Sequence, residues 1–233
     1  MLTCWSVYLQ TTLLPLGLLI AKLLITGGVE SNPGPNFNSK FINFGLLNGQ
    51  SVVRKAALVH DIIADYKFDV LALTETRIPS DASNAVKLDI APDQYQVVHQ
   101  HRGSSRDKKG GGIAIVHRST IKATVIDVGK YTQFGTLAVR LVSRFSSFVI
   151  VCIYRPGSQA RTSAFFDELS DLLDHLSVLD VRFVLWGDFN CPGVITGPTL
   201  DDQLMDVVTR YNLIQHVNVP THRTATCSTL FRL

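Results

Sequence analysis

Short apolar runs separated by turn-forming residues recur between about residue 41 and residue 186. Each run has the length of a buried strand, and most are rich in the Val, Ile and Phe residues that favour strands. The pattern predicts strands over 41–47, 69–74, 95–99, 112–118, 123–128, 136–142, 148–154 and 182–186.

Apolar residues at three- and four-residue spacing predict three helices among these strands. The first follows Ser51, a favourable N-cap residue. Its apolar face consists of Val52, Ala56, Val59, Ile63 and Tyr66. The second covers 164–179 and the third 200–211. Because strands outnumber helices and hairpin-length loops alternate with helical connections, we expect an α/β (α+β) sandwich of two packed mixed β-sheets flanked by helices.

An apolar run with a single charge, Lys22, precedes this domain and predicts a helix. The run covers 5–26, about the length that a bilayer requires. No Lys or Arg precedes it, and Pro15 lies within it, which weakens both a spanning helix and an ordinary signal peptide. Membrane contact and the secretory route stay open as alternatives.

Composition narrows the classes of protein further. With 46% hydrophobic and 18% charged residues in 233, the chain is expected to fold. Its net charge is only +3, so any contact with nucleic acid must come from a local patch. The four cysteines form no Cys-x-x-Cys pair, which argues against zinc ribbons and disulfide-rich scaffolds. A reducing compartment, the cytoplasm or the nucleus, is favoured.

One local positive patch lies in the polar segment 99–112. Its basic residues are Arg102, Arg106, Lys108 and Lys109. A solvated loop and a contact with DNA phosphates both explain such a segment.

Polar residues follow the ends of several predicted strands. They are Asn48, Glu75, Tyr154, Arg155, Asp188 and Asn190. Side chains at strand ends converge on one rim of a sheet, so we expect these residues to meet. Carboxylates can hold a hard divalent cation and act on water, and amide and phenol groups can orient a phosphate. Hydrolysis of a phosphodiester needs this set of groups.

The segment 27–35, with the sequence GGVESNPGP, resembles the ribosome-skipping peptides of the viral 2A type. That resemblance implies that the bond between Gly34 and Pro35 is not formed during translation. It divides the chain into an apolar leader, 1–35, and a nuclease domain, 36–233. Gly28 stands where the 2A pattern has an acidic residue, and a simple linker is the alternative.

Six short blocks in order resemble the endonuclease/exonuclease/phosphatase superfamily. The resemblance is nearest to the apurinic-type endonuclease domain of non-LTR (LINE-type) retrotransposons, and it covers about residues 40–230. The blocks are 47–51, 73–76, 110–114, 153–156, 187–190 and 220–223. A 2A-type leader also precedes such domains in some retroelements.

The resemblance implies a role for each residue at the rim. Glu75 and Asn48 would bind Mg²⁺, with Mn²⁺ as an alternative, and Tyr154 would hydrogen-bond the scissile phosphate. Asp188 would position or deprotonate the attacking water, and Asn190 would orient both Asp188 and the phosphate. The implied product is a DNA strand with a 3′-hydroxyl that primes a reverse transcriptase encoded downstream. Arg155 and the basic patch are candidate DNA contacts.

The resemblance weakens after residue 223. Phe231 stands where the family has an Asp, and no acidic residue follows Thr224. Three histidines, His175, His216 and His222, could replace the catalytic His of the family, but we expect them to be structural. We therefore expect a C-terminally truncated copy that lacks a central strand, with unpaired sheet edges and weak or no cleavage.

Two other functions stay open. One is a superfamily phosphatase or phospholipase that the leader brings to a membrane, and the other is a non-catalytic remnant. Other enzyme classes lack their motifs, because the sequence contains no Gly-x-Ser-x-Gly, no His-Glu-x-x-His and no P-loop lysine after 110–112.

Overall fold

A computed structural model of the chain describes residues 9–13, 18–24, 41–101, 111–143, 147–157, 162–179, 182–191, 202–215 and 228–232. Four helices occur in these ranges. They are α1 (Ala56–Tyr66), α2 (Asn84–Leu88), α3 (Ser163–Val178) and α4 (Asp202–Arg210).

The strands form two six-stranded mixed sheets. The first contains β1 (Leu9–Leu13), β2 (Leu18–Leu24), β3 (Phe41–Asn48), β4 (Val70–Thr74), β5 (Tyr95–Gln100) and β6 (Ile113–Arg118), in the order β1-β2-β3-β4-β6-β5. The second contains β7 (Lys122–Ile126), β8 (Gly135–Val142), β9 (Ser147–Tyr154), β10 (Phe183–Asp188), β11 (Ile214–Gln215) and β12 (Ser228–Arg232), in the order β11-β12-β10-β9-β8-β7. One pair in each sheet is parallel, β3 with β4 and β9 with β10.

Alternate residues of the strands face different layers of the sandwich, as the two-residue period of a strand requires. In β4, Val70 and Ala72 belong to the core between the sheets, whereas Leu71 and Leu73 pack with α1. The second sheet packs its other face against α3 and α4. The predicted sandwich of two mixed sheets flanked by helices is confirmed.

Helix α1 begins later than the sequence pattern predicts. Ser51 is not its N-cap, because the Ser51 N–H donates to the carbonyl of Glu75 (2.8 Å) and the residue has a φ of 77°. The helix begins at Ala56, after Lys55. Tyr66 is 40% exposed and does not join the buried face, which consists of Val59, Ile62 and Ile63.

The apolar leader contains strands where a helix was expected. In the described residues, β1 and β2 form an antiparallel hairpin, and β2 pairs antiparallel with β3 from Leu18 opposite Leu47 to Leu24 opposite Phe41. Pairing with β3 satisfies backbone groups that a free edge would expose. In the part of the chain that the structure describes, no helix is long and apolar enough to cross a membrane.

In the second sheet, β10 has a partner strand on the side that does not face β9. Strand β12 pairs antiparallel with β10, with Ser228 opposite Asp188 and Phe231 opposite Leu185. It also pairs with β11. Among the described residues, β10 therefore has a partner strand on this side, contrary to the expectation of unpaired sheet edges.

Replacing Glu168 with Gln should lower the free energy of unfolding at neutral pH, because it removes charge-assisted hydrogen bonds. The loss should be only about 1 kcal/mol, since solvent weakens such bonds at an exposed site. The Glu168 carboxylate accepts from the N–H (2.9 Å) and hydroxyl (2.6 Å) of Thr132 and from the N–H of Gln133 (2.9 Å), and so ties the loop before β8 to α3. Burial raises the pKa of Glu168, but these hydrogen bonds outweigh it and lower the pKa.

The sign of this shift gives the pH dependence. A lowered folded-state pKa means that the stabilisation is complete above the unfolded value, about 4.3, and is lost as the pH falls through the folded value. Urea denaturation of the wild type and of Glu168→Gln, from neutral pH downward, measures the effect. The difference between the two should shrink below about pH 4, and a difference independent of pH would contradict the assignment.

Candidate active site

The carboxyl ends of the two parallel strand pairs meet at one rim of the sandwich. Asn48 ends β3, Glu75 follows β4, and Tyr154 and Asp188 end β9 and β10 opposite each other. The amide of Asn48 joins the two sheets, because its Nδ2 donates to Glu75 Oε1 (3.1 Å) and to Asp188 Oδ2 (3.1 Å). The two carboxylate oxygens are therefore no more than about 6 Å apart.

The loops after β3 and β4 hold this rim through backbone hydrogen bonds that extend the sheet. The Gly49 N–H donates to the carbonyl of Thr74 (2.9 Å), and the Thr76 N–H donates to the carbonyl of Gly112 (3.1 Å). The backbone of Glu75 is in the left-handed region, with a φ of 51°. Three neighbours share this conformation: Gln50, Ser51 and Arg77. Such strain persists only where the surrounding structure enforces it, and it concentrates at functional sites.

Glu75 is held by three donors. Its carboxylate accepts from the Asn48 amide, from Arg77 Nη2 (2.9 Å) and from the Tyr154 hydroxyl. Burial raises the pKa of Glu75, but the hydrogen bonds from Arg77, Asn48 and Tyr154 outweigh burial and lower the pKa overall. Glu75 is therefore an anion at neutral pH, as a ligand for a cation must be.

Tyr154 remains protonated at this rim. Burial raises the pKa of its hydroxyl, and the negative charges of Glu75 and Asp188 raise it further. The phenol is therefore a hydrogen-bond donor and can offer its proton to an anionic oxygen.

Asp188 and Asn190 are fixed by a turn after β10. Asp188 is 4% exposed, and its Oδ1 accepts from the Asn190 N–H (3.2 Å). Asn190 Nδ2 in turn donates to the carbonyl of Arg155 (2.6 Å). Asn190 has a φ of 46°, a left-handed conformation that Asn tolerates better than most residues.

Arg155 lies inside the protein and not on a surface that faces DNA. It is 1% exposed, its Nη1 donates to the carbonyl of Asn190 (3.0 Å), and its guanidinium lies 5.1 Å from the centre of the Phe165 ring. Its N–H also donates to the carbonyl of Asp188 (2.9 Å). The structure thus gives Arg155 the place of a positioning residue for the turn 188–190, which corrects its expected role as a DNA contact.

Several residues singled out in the sequence lie outside the described residues. They are Arg102, Arg106, Lys108 and Lys109 of the basic patch, Gly34 and Pro35 of the skipping motif, and His216 and His222. His175 is described and is exposed on α3.

Arg77 was not among the residues expected at the rim, although it contacts Glu75 directly. The two residues form an ion pair in which the Arg77 side chain is 40% exposed and that of Glu75 is 16% exposed. The available signal was a basic residue two positions after the strand-terminal Glu75.

Residues 41–203 match the Endonuclease/Exonuclease/phosphatase family. The chain belongs to this family. Members of the endonuclease/exonuclease/phosphatase family hydrolyse phosphodiester and phosphate ester bonds, generally with a divalent metal ion. The match includes Asn48, Glu75, Tyr154, Asp188 and Asn190, so the converging side chains lie within the part of the chain that defines the family.

Solved structures of low sequence identity share the fold. The AP endonuclease LMAP from Leishmania major is 12% identical with a TM-score of 0.62, over 90% of this chain and 84% of that one. The endonuclease domain of TRAS1, a telomere-specific non-LTR retrotransposon, is 14% identical with a TM-score of 0.58, over 81% and 84%. The 3′ phosphatase NExo from Neisseria, bound to a product DNA hairpin, is 18% identical with a TM-score of 0.50, over 73% and 71%. The chain matches no curated protein.

The donor set at the rim fits the divalent cation that the family uses. Mg²⁺ prefers oxygen ligands, keeps several waters and needs only one or two carboxylates. Glu75 and Asp188 supply carboxylate oxygens that both accept from Asn48 Nδ2. Asn48 could add only its amide oxygen Oδ1, which here accepts from the Gln50 N–H (3.1 Å). Among the described residues, no group of three His, Cys, Asp or Glu side chains could hold a metal ion.

Proposed function

We propose that this protein is a retrotransposon-type DNA endonuclease that nicks one strand by hydrolysing a phosphodiester and leaves a 3′-hydroxyl. The observation that carries the proposal is the bridge from the Asn48 amide to the carboxylates of Glu75 and Asp188, beside the Tyr154 phenol. The shared fold of the TRAS1 and LMAP endonucleases supports DNA as the substrate.

Each residue at the rim has a role in this proposal. Glu75, with Asn48 beside it, would hold Mg²⁺ or Mn²⁺, which stabilises the negative charge that builds up on the phosphate. The single O–H of Tyr154, which donates to Glu75 in this structure, would turn to donate its hydrogen bond to a phosphate oxygen. Asp188 accepts a proton from the attacking water, and Asn190 keeps the Asp188 carboxylate in place.

The reaction requires a simple exchange of bonds. The water oxygen bonds to phosphorus, the bond between phosphorus and the 3′ oxygen breaks, and the 3′ oxygen takes up a proton. The products are a 3′-hydroxyl and a 5′-phosphate. In a retroelement the 3′-hydroxyl would prime a reverse transcriptase encoded downstream, which we propose as a partner on the basis of the resemblance.

We propose that the rate is low. Phe231 stands where the resemblance implies an Asp. Loss of one general acid or base reduces a rate by about 10²- to 10⁴-fold.

Two further proposals come from the sequence. We propose that 1–35 is a leader separated at Gly34–Pro35, and that the basic patch in 99–112 contacts DNA phosphates.

A plasmid-nicking experiment tests the function. Supercoiled plasmid incubated with excess protein and Mg²⁺ should become open circular, and EDTA should prevent this. Glu75→Gln should reduce the nicking rate at least about 100-fold, because the loss of a carboxylate weakens both cation binding and the site around it. A polymerase should extend the nicks directly if they carry a 3′-hydroxyl.

The alternatives give different results in the same experiment. Release of phosphate from a 3′-phosphorylated oligonucleotide without nicking would assign the protein as a 3′ phosphatase, like NExo from Neisseria. Hydrolysis of phosphoinositides in preference to DNA would assign a phospholipase-type enzyme. Nicking that survives EDTA or Glu75→Gln would overturn the proposed function, and an absence of all these activities would favour a non-catalytic remnant.

A further inference from the structure

Both oxygens of the Glu75 carboxylate already have partners in the protein. Oε1 accepts from Asn48 Nδ2 (3.1 Å), and Oε2 accepts from Arg77 Nη2 (2.9 Å). The hydrogen bond from Asn48 links Glu75 to Asp188, because the same amide also donates to Asp188. The bond from Arg77 differs, because it brings a positive charge next to the Glu75 carboxylate. A divalent cation that binds Glu75 through Oε2 must therefore compete with the Arg77 guanidinium.

The Arg77 side chain extends from a fixed backbone and does not use all of its donors. The Arg77 N–H donates to the carbonyl of Gly111 (3.0 Å), and the backbone has a φ of 55°. A guanidinium has five N–H donors. Nη2 binds Glu75, and Nε is buried and has no acceptor among the described residues. A buried N–H without a partner is costly, so an acceptor at this position would be favourable.

The surroundings indicate what kind of acceptor would fit. Arg77 and Tyr154 both donate to the Glu75 carboxylate, so the guanidinium and the phenol are neighbours of the same group. Guanidinium groups bind phosphates through two parallel N–H···O bonds, which uses donors that a single carboxylate oxygen leaves free. A phosphate group of a substrate strand matches both the charge and the unused donors.

We propose that Arg77 is an exchangeable counter-ion, which pairs with Glu75 in the metal-free protein and transfers to a substrate phosphate when a divalent cation takes its place. The inference rests on the proposed function and adds a positioning residue to it. Cation binding and DNA binding are therefore coupled. A cation that binds Glu75 releases Arg77 for a phosphate, and a phosphate that binds Arg77 leaves Glu75 free for the cation. Before DNA binds, Arg77 weakens cation binding. Once the cation has bound, Arg77 strengthens DNA binding.

Arg77→Gln tests the exchange through binding and without any measurement of catalysis. Titration of the full chain with Mn²⁺ alone, followed by electron paramagnetic resonance, should show an affinity about two- to fivefold higher than that of the wild type, the range for a partly exposed ion pair. In fluorescence anisotropy with Mn²⁺ present, the same variant should bind a short DNA duplex more weakly and with a smaller dependence on salt. Arg77→Lys, which keeps the charge, should restore the lower Mn²⁺ affinity.

The chain supplies a matched control in the ion pair of Arg118 with Asp69. This pair lies at the opposite end of β4, has a distance of 2.7 Å between Arg118 Nε and Asp69 Oδ1, and has side-chain exposures of 37% and 23%. Arg118→Gln should change neither the Mn²⁺ affinity nor the binding of the duplex. A shift in both variants would show a general charge effect and would overturn the inference.

Glu75→Gln separates failure of the inference from failure of the proposed function. If Glu75→Gln loses Mn²⁺ binding and Arg77→Gln binds Mn²⁺ no more tightly than the wild type, the exchange is wrong and the metal site stands. If Glu75→Gln binds Mn²⁺ as the wild type does, the metal site and the exchange are both wrong. Opposite effects of Arg77→Gln on Mn²⁺ and on DNA support the exchange, because a merely structural role would weaken both.

Discussion

Replacing Asp188 with Asn is expected to lower the rate of plasmid nicking by about 10²- to 10⁴-fold, the usual effect of removing a general base. An amide cannot accept the proton of the attacking water, and it disturbs the hydrogen bonds of the rim. Asp188 uses one oxygen for the Asn190 N–H and the other for Asn48 Nδ2. Asn has a single acceptor oxygen, so one of these two donors would face an NH₂ group.

The stability of Asp188→Asn must be measured beside its rate. An unsatisfied donor at a site that is only 4% exposed costs about 1–3 kcal/mol, which lowers the melting temperature of a protein of this size by a few degrees. We expect the variant to stay folded at the assay temperature, and circular dichroism checks this. The gel assay is sensitive to slow enzymes because a single nick opens a plasmid.

Asp61→Asn is the matched control for the loss of one negative charge. Asp61 lies on the exposed face of α1 and takes no part in the hydrogen bonds of the rim. Its nicking rate should be within about twofold of that of the wild type, as expected for a surface substitution remote from the site. A rate for Asp188→Asn within tenfold of the wild type would remove Asp188 from the mechanism.

Most of the sandwich could be predicted from sequence because its strands are short apolar runs bounded by turn residues. The run 148–154 corresponds to β9, and the helical spacing over 164–179 corresponds to α3. The leader illustrates the limit of such reasoning. Periodicity alone does not distinguish a Leu-rich strand from a buried helix, and pairing with β3, a contact distant in sequence, decides the outcome in the structure.

The rim could be predicted in part for a similar reason. Asn48, Glu75, Tyr154 and Asp188 follow apolar strands, and strand ends mark a rim before any coordinates are known. The partners of Arg77 and Arg155 could not be predicted. Whether an arginine at a strand end points to solvent or into the protein depends on contacts such as that of Arg155 with the ring of Phe165, which belongs to the next helix along the chain.

Replacing Gly187 with Ala is expected to have the largest effect on stability, with a loss of more than about 3 kcal/mol from overpacking that cannot relax. A Cβ at this position would lie 2.0 Å from the carbonyl oxygen of Ile153 and 2.7 Å from its carbonyl carbon. Gly187 and Ile153 face each other in the parallel pair of β10 and β9. The obstacle is backbone held by the sheet on both sides, so no side-chain rotation relieves the clash.

The same close approach links the fold to the site. Residues Tyr154 and Asp188 directly follow Ile153 and Gly187 in their strands, so forcing β9 and β10 apart would separate the phenol from the carboxylate. Nicking by any folded Gly187→Ala protein should therefore fall as well. Chemical denaturation measures the stability, and a change of less than about 1 kcal/mol would contradict the close packing, because overpacking of a fixed core costs at least that much.

Gly135→Ala is the control for adding a methyl group beside Tyr154. Its Cβ would lie 3.5 Å from Gln100 Oε1, 3.6 Å from Ile113 Cδ1 and 3.9 Å from the carbonyl oxygen of Tyr154, all ordinary contact distances. Because Ala restricts the unfolded chain and packs without a clash here, this variant should unfold within about 1 kcal/mol of the wild type and keep its nicking rate. A large loss in Gly187→Ala together with a small effect in Gly135→Ala would show that the spacing of β9 and β10, and not the methyl group itself, determines both the stability of the second sheet and the alignment of Tyr154 with Asp188.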